Sequence, residues 1–143
     1  IAGRINGRFG TLEWQPVTLI SRAIPFAELV SYYLAADVAW ITPLADGMNL
    51  VCKEYAASRV DGDGALVLSE FAGSAVELGD AIIANPFSNR SMDRAILTAL
   101  DMPEVERRRR MTGLRRAVLE TDVRSWHPGS LNAGRQEKDA SAA

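Results

Sequence analysis

The 143-residue sequence has one cysteine, one histidine and no long apolar run, and each scarcity excludes a class of protein. The single cysteine, Cys52, rules out an internal disulfide and is typical of a reducing compartment. The single histidine, His127, rules out a histidine cluster around a metal and argues against a Ser-His-Asp triad. No apolar run reaches the roughly 18–20 residues of a membrane span, and the first residues lack the pattern of a signal peptide. We therefore expect a cytoplasmic protein without a membrane partner.

Excess charge of one sign is also lacking, since 16 basic residues face 18 acidic ones and the net charge is −2. That balance argues against a nucleic-acid partner, because general nucleic-acid binders normally carry a basic surface. The local exception is the stretch 104–116, which contains the run Arg107 to Arg110. Such a run indicates either a solvated helix face or a surface that meets another domain. With 48% apolar residues, the chain has the composition of one ordinary globular domain with a real core.

What the sequence does contain is an alternation of short apolar runs and helical periodicities. Continuous apolar or β-branched runs predict strands, and apolar residues at helical spacing predict the helices between them. This alternation predicts an α/β fold: a parallel sheet with helices on both faces, which places ligands at the carboxyl ends of its strands. The predicted strands are 17–20, 38–41, 65–69 and 81–84, and the predicted helices are 26–36, 49–59, a short turn at 75–78, 91–100 and 103 to about 123.

The most informative stretch is the Asp46-Gly47 loop between the strand at 38–41 and the helix that begins near Asn49. A helix that starts here directs the backbone N–H groups of residues 48–51 toward an anion, and Gly47 lets the backbone approach a ligand closely. The stretch therefore predicts a seat for phosphate groups. Taken alone, an Asp-Gly pair is more often a simple turn, and Glu54 alone would be a helix-surface carboxylate paired with a nearby cation.

Three sequence blocks in a fixed order resemble a known family. They are Ile5-Asn6-Gly7-Arg8-Phe9-Gly10-Thr11, Asp46-Gly47-Met48-Asn49-Leu50-Val51-Cys52-Lys53-Glu54-Tyr55 and Val67-Leu68-Ser69-Glu70-Phe71-Ala72-Gly73. Together they look like the trehalose-6-phosphate synthase family of retaining glycosyltransferases, over residues 3–126. The resemblance implies that residues 1–126 are a Rossmann-like domain, the C-terminal donor-binding half of a GT-B glycosyltransferase. Because the chain starts inside the first block, we expect a piece of a longer polypeptide whose N-terminal domain is its partner.

For a nucleotide-sugar donor, the amides of residues 48–51 would hold the diphosphate. The resemblance adds that Glu54 contacts the ribose, Asp46 contacts the transferred glucose, and the backbone around Ile24 lies beside the nucleobase. Asp46 is thus the candidate catalytic residue. The candidate donor-binding residues are Ile24, Asp46, Gly47, Met48, Asn49, Leu50, Val51 and Glu54.

Family members add an arginine and a lysine from upstream of this segment to stabilise the leaving phosphates, and the resemblance implies no metal and no cofactor. Ala45 stands where the family usually carries an arginine before Asp-Gly. Asp61-Gly62-Asp63 superficially resembles the metal-binding acid pair of another glycosyltransferase class. It lies between a predicted helix and a predicted strand and lacks further ligands, so we expect a turn. We expect Cys52 to be a packing residue and His127 to be exposed in a disordered tail, residues 127–143.

The leading interpretation is transfer of glucose, with retention, from a nucleoside-diphosphate glucose to a small phosphorylated acceptor. Residues 10–14 and 36–44 look more like the glucosylglycerol-phosphate synthases, which use glycerol 3-phosphate and typically ADP-glucose and make an osmolyte. Trehalose-6-phosphate synthases, which use glucose 6-phosphate, are the alternative. We expect the segment alone to be inactive, and a homo-oligomer is compatible with the sequence.

Two alternatives belong to other functional classes. One is a non-catalytic nucleotide-binding or interaction module, which the alanine at position 45 and the altered C-terminal tail favour. The other is a flavodoxin-like regulator, for which the sequence shows neither a receiver-type acidic cluster nor a flavin loop. An intact upstream domain with the donor arginine and lysine would exclude the first alternative.

Overall fold

The computed structural model describes residues 1–121, which fold as a three-stranded parallel sheet packed between helices. The strands are β1 (Val38–Ile41), β2 (Ala65–Ser69) and β3 (Ile82–Ala84), and they lie side by side in that order. The helices are α1 (Ala2–Phe9), α2 (Phe26–Ala35), α3 (Leu50–Ser58), α4 (Asn89–Leu100) and α5 (Glu104–Glu120), with a 3-10 turn at Gly73–Val76. The predicted α/β fold with helices on both faces of a parallel sheet is confirmed.

The central strand β2 is buried along its whole length, because helices cover both of its faces. Leu66 and Leu68 pack on one face against α3 and α5. Ala65 and Val67 alternate with them and pack on the other face against α4. Strands buried on both faces are expected to be continuous apolar runs, and β2 is one, which is why its bounds were predicted correctly. β1 is also an apolar run with correctly predicted bounds, but it lies at the edge of the sheet, where Trp40 is 38% exposed.

Helix α5 is fastened to the rest of the domain by apolar and charged contacts together. Met111 is fully buried in the core beneath it. Arg107 pairs with Asp63 in the turn ahead of β2, and Arg109 reaches Asp80 in the loop ahead of β3 at 3.1 Å. The arginine run is therefore not only a solvated face, since its side chains tie α5 to two loops of its own domain.

The stretch Asp61-Gly62-Asp63 forms the predicted turn, with a φ angle of 70° at Gly62. Both carboxylates are held by arginines, Asp61 by Arg59 at 2.9 Å and Asp63 by Arg107. Arg59 is 5% exposed and also donates hydrogen bonds to three carbonyl groups at the end of α2. The turn therefore serves to lock α2, α3 and α5 together.

The predicted strand at 17–20 is wrong, because this stretch is irregular and pairs with no strand of the described chain. A side chain takes the place of a neighbouring strand. The Asn6 amide donates to the Val17 carbonyl at 2.7 Å, and its oxygen accepts from the Val17 N–H at 2.9 Å. Asn6 belongs to α1, a helix that the sequence does not predict because Gly3 and Gly7 disfavour one.

The other element boundaries differ from the prediction by one or two residues, which is usual where elements begin and end. Helix α4 starts two residues early, because the Ser88 hydroxyl caps it by accepting from the Ser91 N–H at 3.3 Å. The predicted end of the last helix near 123, the domain limit at 126 and the tail 127–143 with His127 lie outside the described residues. Among residues 1–121, no helix is both long and apolar enough to cross a membrane.

Candidate functional site

The loops that follow β1 and β2 lie side by side at the carboxyl end of the sheet, where parallel sheets place ligands. We refer to residues 44–49 and 70–74 as the paired loops. Asp46 and Ala72 form an isolated parallel bridge between them. Three backbone hydrogen bonds join the loops: Asp46 N–H to Phe71 C=O at 3.2 Å, Gly73 N–H to Asp46 C=O at 2.9 Å, and Ser74 N–H to Met48 C=O at 2.9 Å.

Gly73 makes this close approach of the paired loops feasible. A Cβ atom at Gly73 would lie 2.1 Å from the carbonyl oxygen of Gly47, far inside any normal contact distance. Its φ angle is not in the left-handed region, so proximity rather than backbone conformation requires glycine here. The sequence alone could not show this requirement, because it depends on a neighbour 26 positions away in the chain.

Asn49 turns the chain from the first loop into α3 through a left-handed conformation with a φ angle of 68°, which asparagine tolerates better than most residues. Its side-chain oxygen caps α3 by accepting from the Cys52 N–H at 3.1 Å, and its nitrogen donates to Asp46 at 2.9 Å. The other Asp46 oxygen accepts from the Met48 N–H at 3.0 Å. The bond from Met48 and then that from Asn49 lower the pKa of Asp46, so its carboxylate is ionised at neutral pH.

The four amides of residues 48–51 divide into two pairs. The Met48 N–H donates to Asp46, and the Asn49 N–H is directed at the same carboxylate. The N–H groups of Leu50 and Val51 have no acceptor within residues 1–121, and these two residues are 60% and 45% exposed. A ligand at the start of α3 would therefore meet two free amides rather than four.

Glu54 lies just over one turn into α3 with a half-buried carboxylate. Its Oε2 atom accepts a hydrogen bond from the Tyr33 hydroxyl of α2 at 3.0 Å. The sequence analysis gives Tyr33 no role beyond its place in the predicted helix 26–36, so this contact was not predicted. Whether Glu54 accepts hydrogen bonds from a ribose stays a prediction.

Cys52 lies beneath the paired loops and is fully buried, which confirms its predicted packing role. Its thiol is 3.1 Å from the Ser74 hydroxyl and 3.0 Å from the Asn49 carbonyl oxygen. Burial raises the pKa of the Cys52 thiol, which keeps the sulfur protonated and unreactive. The next residue of α3, Lys53, forms an ion pair with Glu77 at 2.5 Å, which ties α3 to the segment after the 3-10 turn.

Two positions named by the sequence analysis stand apart from this network. Ile24 is half-buried in the irregular segment before Pro25, the residue that precedes α2, and within residues 1–121 no hydrogen bond joins it to the paired loops. Ala45 is exposed, and its methyl group offers no polar contact where the resemblance expects an arginine. Within the same range, no group of three or more His, Cys, Asp or Glu side chains is placed to hold a metal ion.

Known proteins have sequences similar to this one. The sequence model of glycosyltransferase family 20 matches residues 1–133. The chain belongs to glycosyltransferase family 20. One relative of this family-20 chain, named glucosylglycerol-phosphate synthase, from Picosynechococcus sp., is 52% identical over 126 residues, 88% of this chain and 25% of that protein. Another, named trehalose-6-phosphate synthase, from Mycobacterium sp., is 49% identical over 138 residues, 96% of this chain and 29% of that protein.

Solved structures share the fold of the family-20 chain. An α,α-trehalose-phosphate synthase (UDP-forming) from Burkholderia vietnamiensis superposes with a TM-score of 0.91 at 40% identity, over 99% of this chain and 32% of that one. A Burkholderia xenovorans enzyme of the same name, in complex with glucose-6-phosphate, has a TM-score of 0.85 at 42% identity, over 92% and 30%. The family-20 chain therefore spans about a quarter to a third of the length of these relatives. The family resemblance seen in the sequence blocks is confirmed.

Proposed function

We propose that this chain is the donor-binding part of a retaining glycosyltransferase that moves glucose from a nucleoside-diphosphate glucose, with ADP-glucose favoured, to glycerol 3-phosphate. The proposal rests on one observation: Asp46, two free amides at the start of α3, and Glu54 lie together at the carboxyl end of the sheet. The relative named glucosylglycerol-phosphate synthase supports the choice of acceptor. The product is then a phosphorylated osmolyte, which links the protein to salt tolerance.

Each part of such a donor has a matching group in the site. The N–H groups of Leu50 and Val51 bind diphosphate oxygens at the positive end of α3. Glu54 accepts hydrogen bonds from the ribose hydroxyls, and ionised Asp46 accepts them from the glucose hydroxyls. The backbone around Ile24 lies beside the nucleobase.

The reaction breaks the bond between the glucose C1 and the diphosphate and forms a bond from C1 to the acceptor hydroxyl oxygen. It releases the nucleoside diphosphate and the acceptor proton. Negative charge grows on the leaving diphosphate, where fixed amide dipoles stabilise it without reorganising. We propose that an arginine and a lysine from an N-terminal domain of the same polypeptide add positive charge there, and that no metal or cofactor takes part.

Glucose 6-phosphate is the second candidate acceptor, giving trehalose 6-phosphate. It is favoured by the relative at 49% identity and by the solved structures, which are named for trehalose phosphate synthesis. We further propose that the reaction takes place in the cytoplasm, where phosphorylated acceptors and nucleotide sugars are made. Self-association of the enzyme is compatible with this scheme.

Calorimetric titration of the 143-residue chain with ADP-glucose, UDP-glucose and GDP-glucose tests the donor site. We expect saturable binding of one donor, which Glu54→Gln should weaken about 10- to 100-fold because hydrogen bonds to a charged acceptor are lost. Glu120→Gln is the matched control, since Glu120 is an exposed carboxylate at the end of α5. If the chain binds none of the three donors, either the N-terminal domain is required or the site does not bind donors, and titration of the full polypeptide separates the two. Absence of binding there as well would overturn the proposal in favour of a non-catalytic module.

The acceptor is tested in the full polypeptide that carries this sequence. Product formation from ADP-glucose is measured with glycerol 3-phosphate and with glucose 6-phosphate in parallel. A higher kcat/KM for glycerol 3-phosphate supports the leading assignment. A higher value for glucose 6-phosphate would replace it with trehalose-6-phosphate synthesis.

A further inference from the structure

Tyr33 is a buried tyrosine whose hydroxyl group reaches out of the core to the candidate site. It is 9% exposed and lies on the face of α2 that packs against α3. Its hydroxyl donates to Oε2 of Glu54 at 3.0 Å, across a sequence separation of 21 residues. Burial, and then the neighbouring carboxylate, raise the pKa of Tyr33 to about 12, so the hydroxyl keeps its proton and remains a donor at neutral pH.

Both the ring and the backbone of Tyr33 are held in place, which restricts the position of its hydroxyl. It packs edge-on against Tyr55 with a centroid distance of 6.1 Å and an interplanar angle of 82°. Its backbone carbonyl accepts from the buried Arg59 guanidinium at 3.0 Å, which anchors the end of α2 to α3. The hydroxyl is thus a rigid donor rather than a mobile one.

Glu54, by contrast, is a long side chain that would sample several rotamers if nothing held it. The Tyr33 hydroxyl occupies one hydrogen-bonding position of one carboxylate oxygen. A carboxylate has about four such positions, so the remaining ones stay open to a ligand. The arrangement selects one orientation of the carboxylate without consuming its capacity to accept further hydrogen bonds.

We propose that Tyr33 is a positioning residue for the nucleoside ribose: it orients Glu54 before the donor arrives, so that the carboxylate can accept the ribose hydroxyls without reorganising. This inference rests on the proposed donor site. It adds a residue from α2 to a site otherwise built from the paired loops and α3. Preorganisation of this kind improves affinity by lowering the cost of ordering a side chain on binding.

Tyr33→Phe removes the hydroxyl and keeps the ring that the core needs. In the full 143-residue chain, we expect this variant to bind ADP about five- to tenfold more weakly, because the hydrogen bond that orients Glu54 before binding is lost. Tyr55→Phe is the matched control: it removes a hydroxyl from the same core, but that hydroxyl contacts the Ala36 carbonyl oxygen at 3.4 Å and not Glu54. Thermal unfolding of both variants checks that the fold is intact.

The deciding measurement is whether the loss of affinity in Tyr33→Phe depends on the ribose hydroxyls of the nucleotide. Binding of 2′,3′-dideoxy-ADP should be the same in wild type and Tyr33→Phe, because this probe has no ribose hydroxyls for Glu54 to accept. In a Glu54→Gln background, adding Tyr33→Phe should cause no further loss of ADP affinity. In the full polypeptide, Tyr33→Phe should raise the donor KM and leave kcat unchanged, as expected when a uniform binding interaction is removed.

Equal weakening of ADP and dideoxy-ADP by Tyr33→Phe would overturn the inference and leave Tyr33 a merely structural residue. Unchanged ADP binding in Tyr33→Phe, with a clear loss in Glu54→Gln, would also overturn it while the proposed donor site stands. If Glu54→Gln itself does not alter ADP binding, or if the full polypeptide binds no nucleotide, the proposed function fails first and the inference fails with it.

Discussion

Adding one methyl group at Gly73 should force the paired loops apart. The new Cβ atom would lie 2.1 Å from the Gly47 carbonyl oxygen, and real Cβ contacts essentially never fall below 3.0 Å. One of the loops must therefore recede by at least 0.9 Å. The obstacle is backbone, which cannot swing aside as the end of a flexible side chain would.

The size of the effect follows from what such a shift breaks. The hydrogen bonds from Gly73 N–H to the Asp46 carbonyl and from Ser74 N–H to the Met48 carbonyl are both 2.9 Å long. At about 1 kcal/mol net for each bond, Gly73→Ala should lower the free energy of unfolding by about 1–3 kcal/mol. For a domain of this size the loss corresponds to a fall in Tm of roughly 5–15 °C. Because Asp46 moves with its loop, we expect donor affinity to fall about tenfold or more.

Two assays separate the stability effect from the site effect. Thermal unfolding gives the change in Tm, and titration with the donor at a temperature where the variant is folded gives the change in affinity. Gly79→Ala is the matched control, since a Cβ atom at Gly79 meets nothing within 4 Å. A Gly73→Ala variant with wild-type Tm and wild-type affinity would refute the reasoning that the close approach of the loops shapes the site.

The remaining predictions concern the ion pairs within α5 and the packing of this helix on the core. The hydrogen bonds of Arg109 and then Arg110 lower the pKa of Glu106 from 4.5 to about 2, so its stabilising contribution is present above pH 4.5 and is lost as the pH falls through about 2. Melting curves between about pH 5 and pH 2 should show this loss in wild type and a smaller one in Glu106→Gln; identical pH profiles would contradict the assignment. Met111→Ala should cost about 2–5 kcal/mol of unfolding free energy in denaturant titrations, because Met111 is fully buried. Val105→Ala, at a residue 83% exposed on the same helix, should change it by less than about 0.5 kcal/mol, and equal effects would refute the packing argument.

Apolar runs in the sequence predicted two of the three strands with their correct bounds. β1 and β2 were predicted with the bounds that the structure has, because each is a continuous apolar run in the sequence. The stretch 17–20 is rich in β-branched residues and is still not a strand, because a strand also needs a partner strand to pair with. At Val17 the side chain of Asn6 supplies both hydrogen bonds instead, a contact over 11 residues that periodicity cannot reveal.

The candidate site was predictable as a set of motif positions and not as a network. The strand, the Asp-Gly loop and the helix start were visible in the residues themselves, and the family resemblance attached roles to Asp46 and Glu54. The division of the amides depends on which way the Asp46 carboxylate turns, and the support of Glu54 depends on a tyrosine from α2. Such contacts arise from packing between segments that are distant in the sequence, so the periodicity of a single sequence does not predict them.

Helix α3 contributes residues both to the core and to the candidate site. Cys52 and Ala56 are small and fully buried, which lets α3 lie close to the sheet, while Glu54, between them in the sequence, is half-buried and accepts the hydrogen bond from Tyr33. A larger side chain at either small position would lift the helix and carry Glu54 and the free amides with it. In laboratory evolution for activity, we expect residues 52 and 56 to stay small even in variants stabilised elsewhere. A larger side chain there would displace α3 and the candidate site even if the domain still folded.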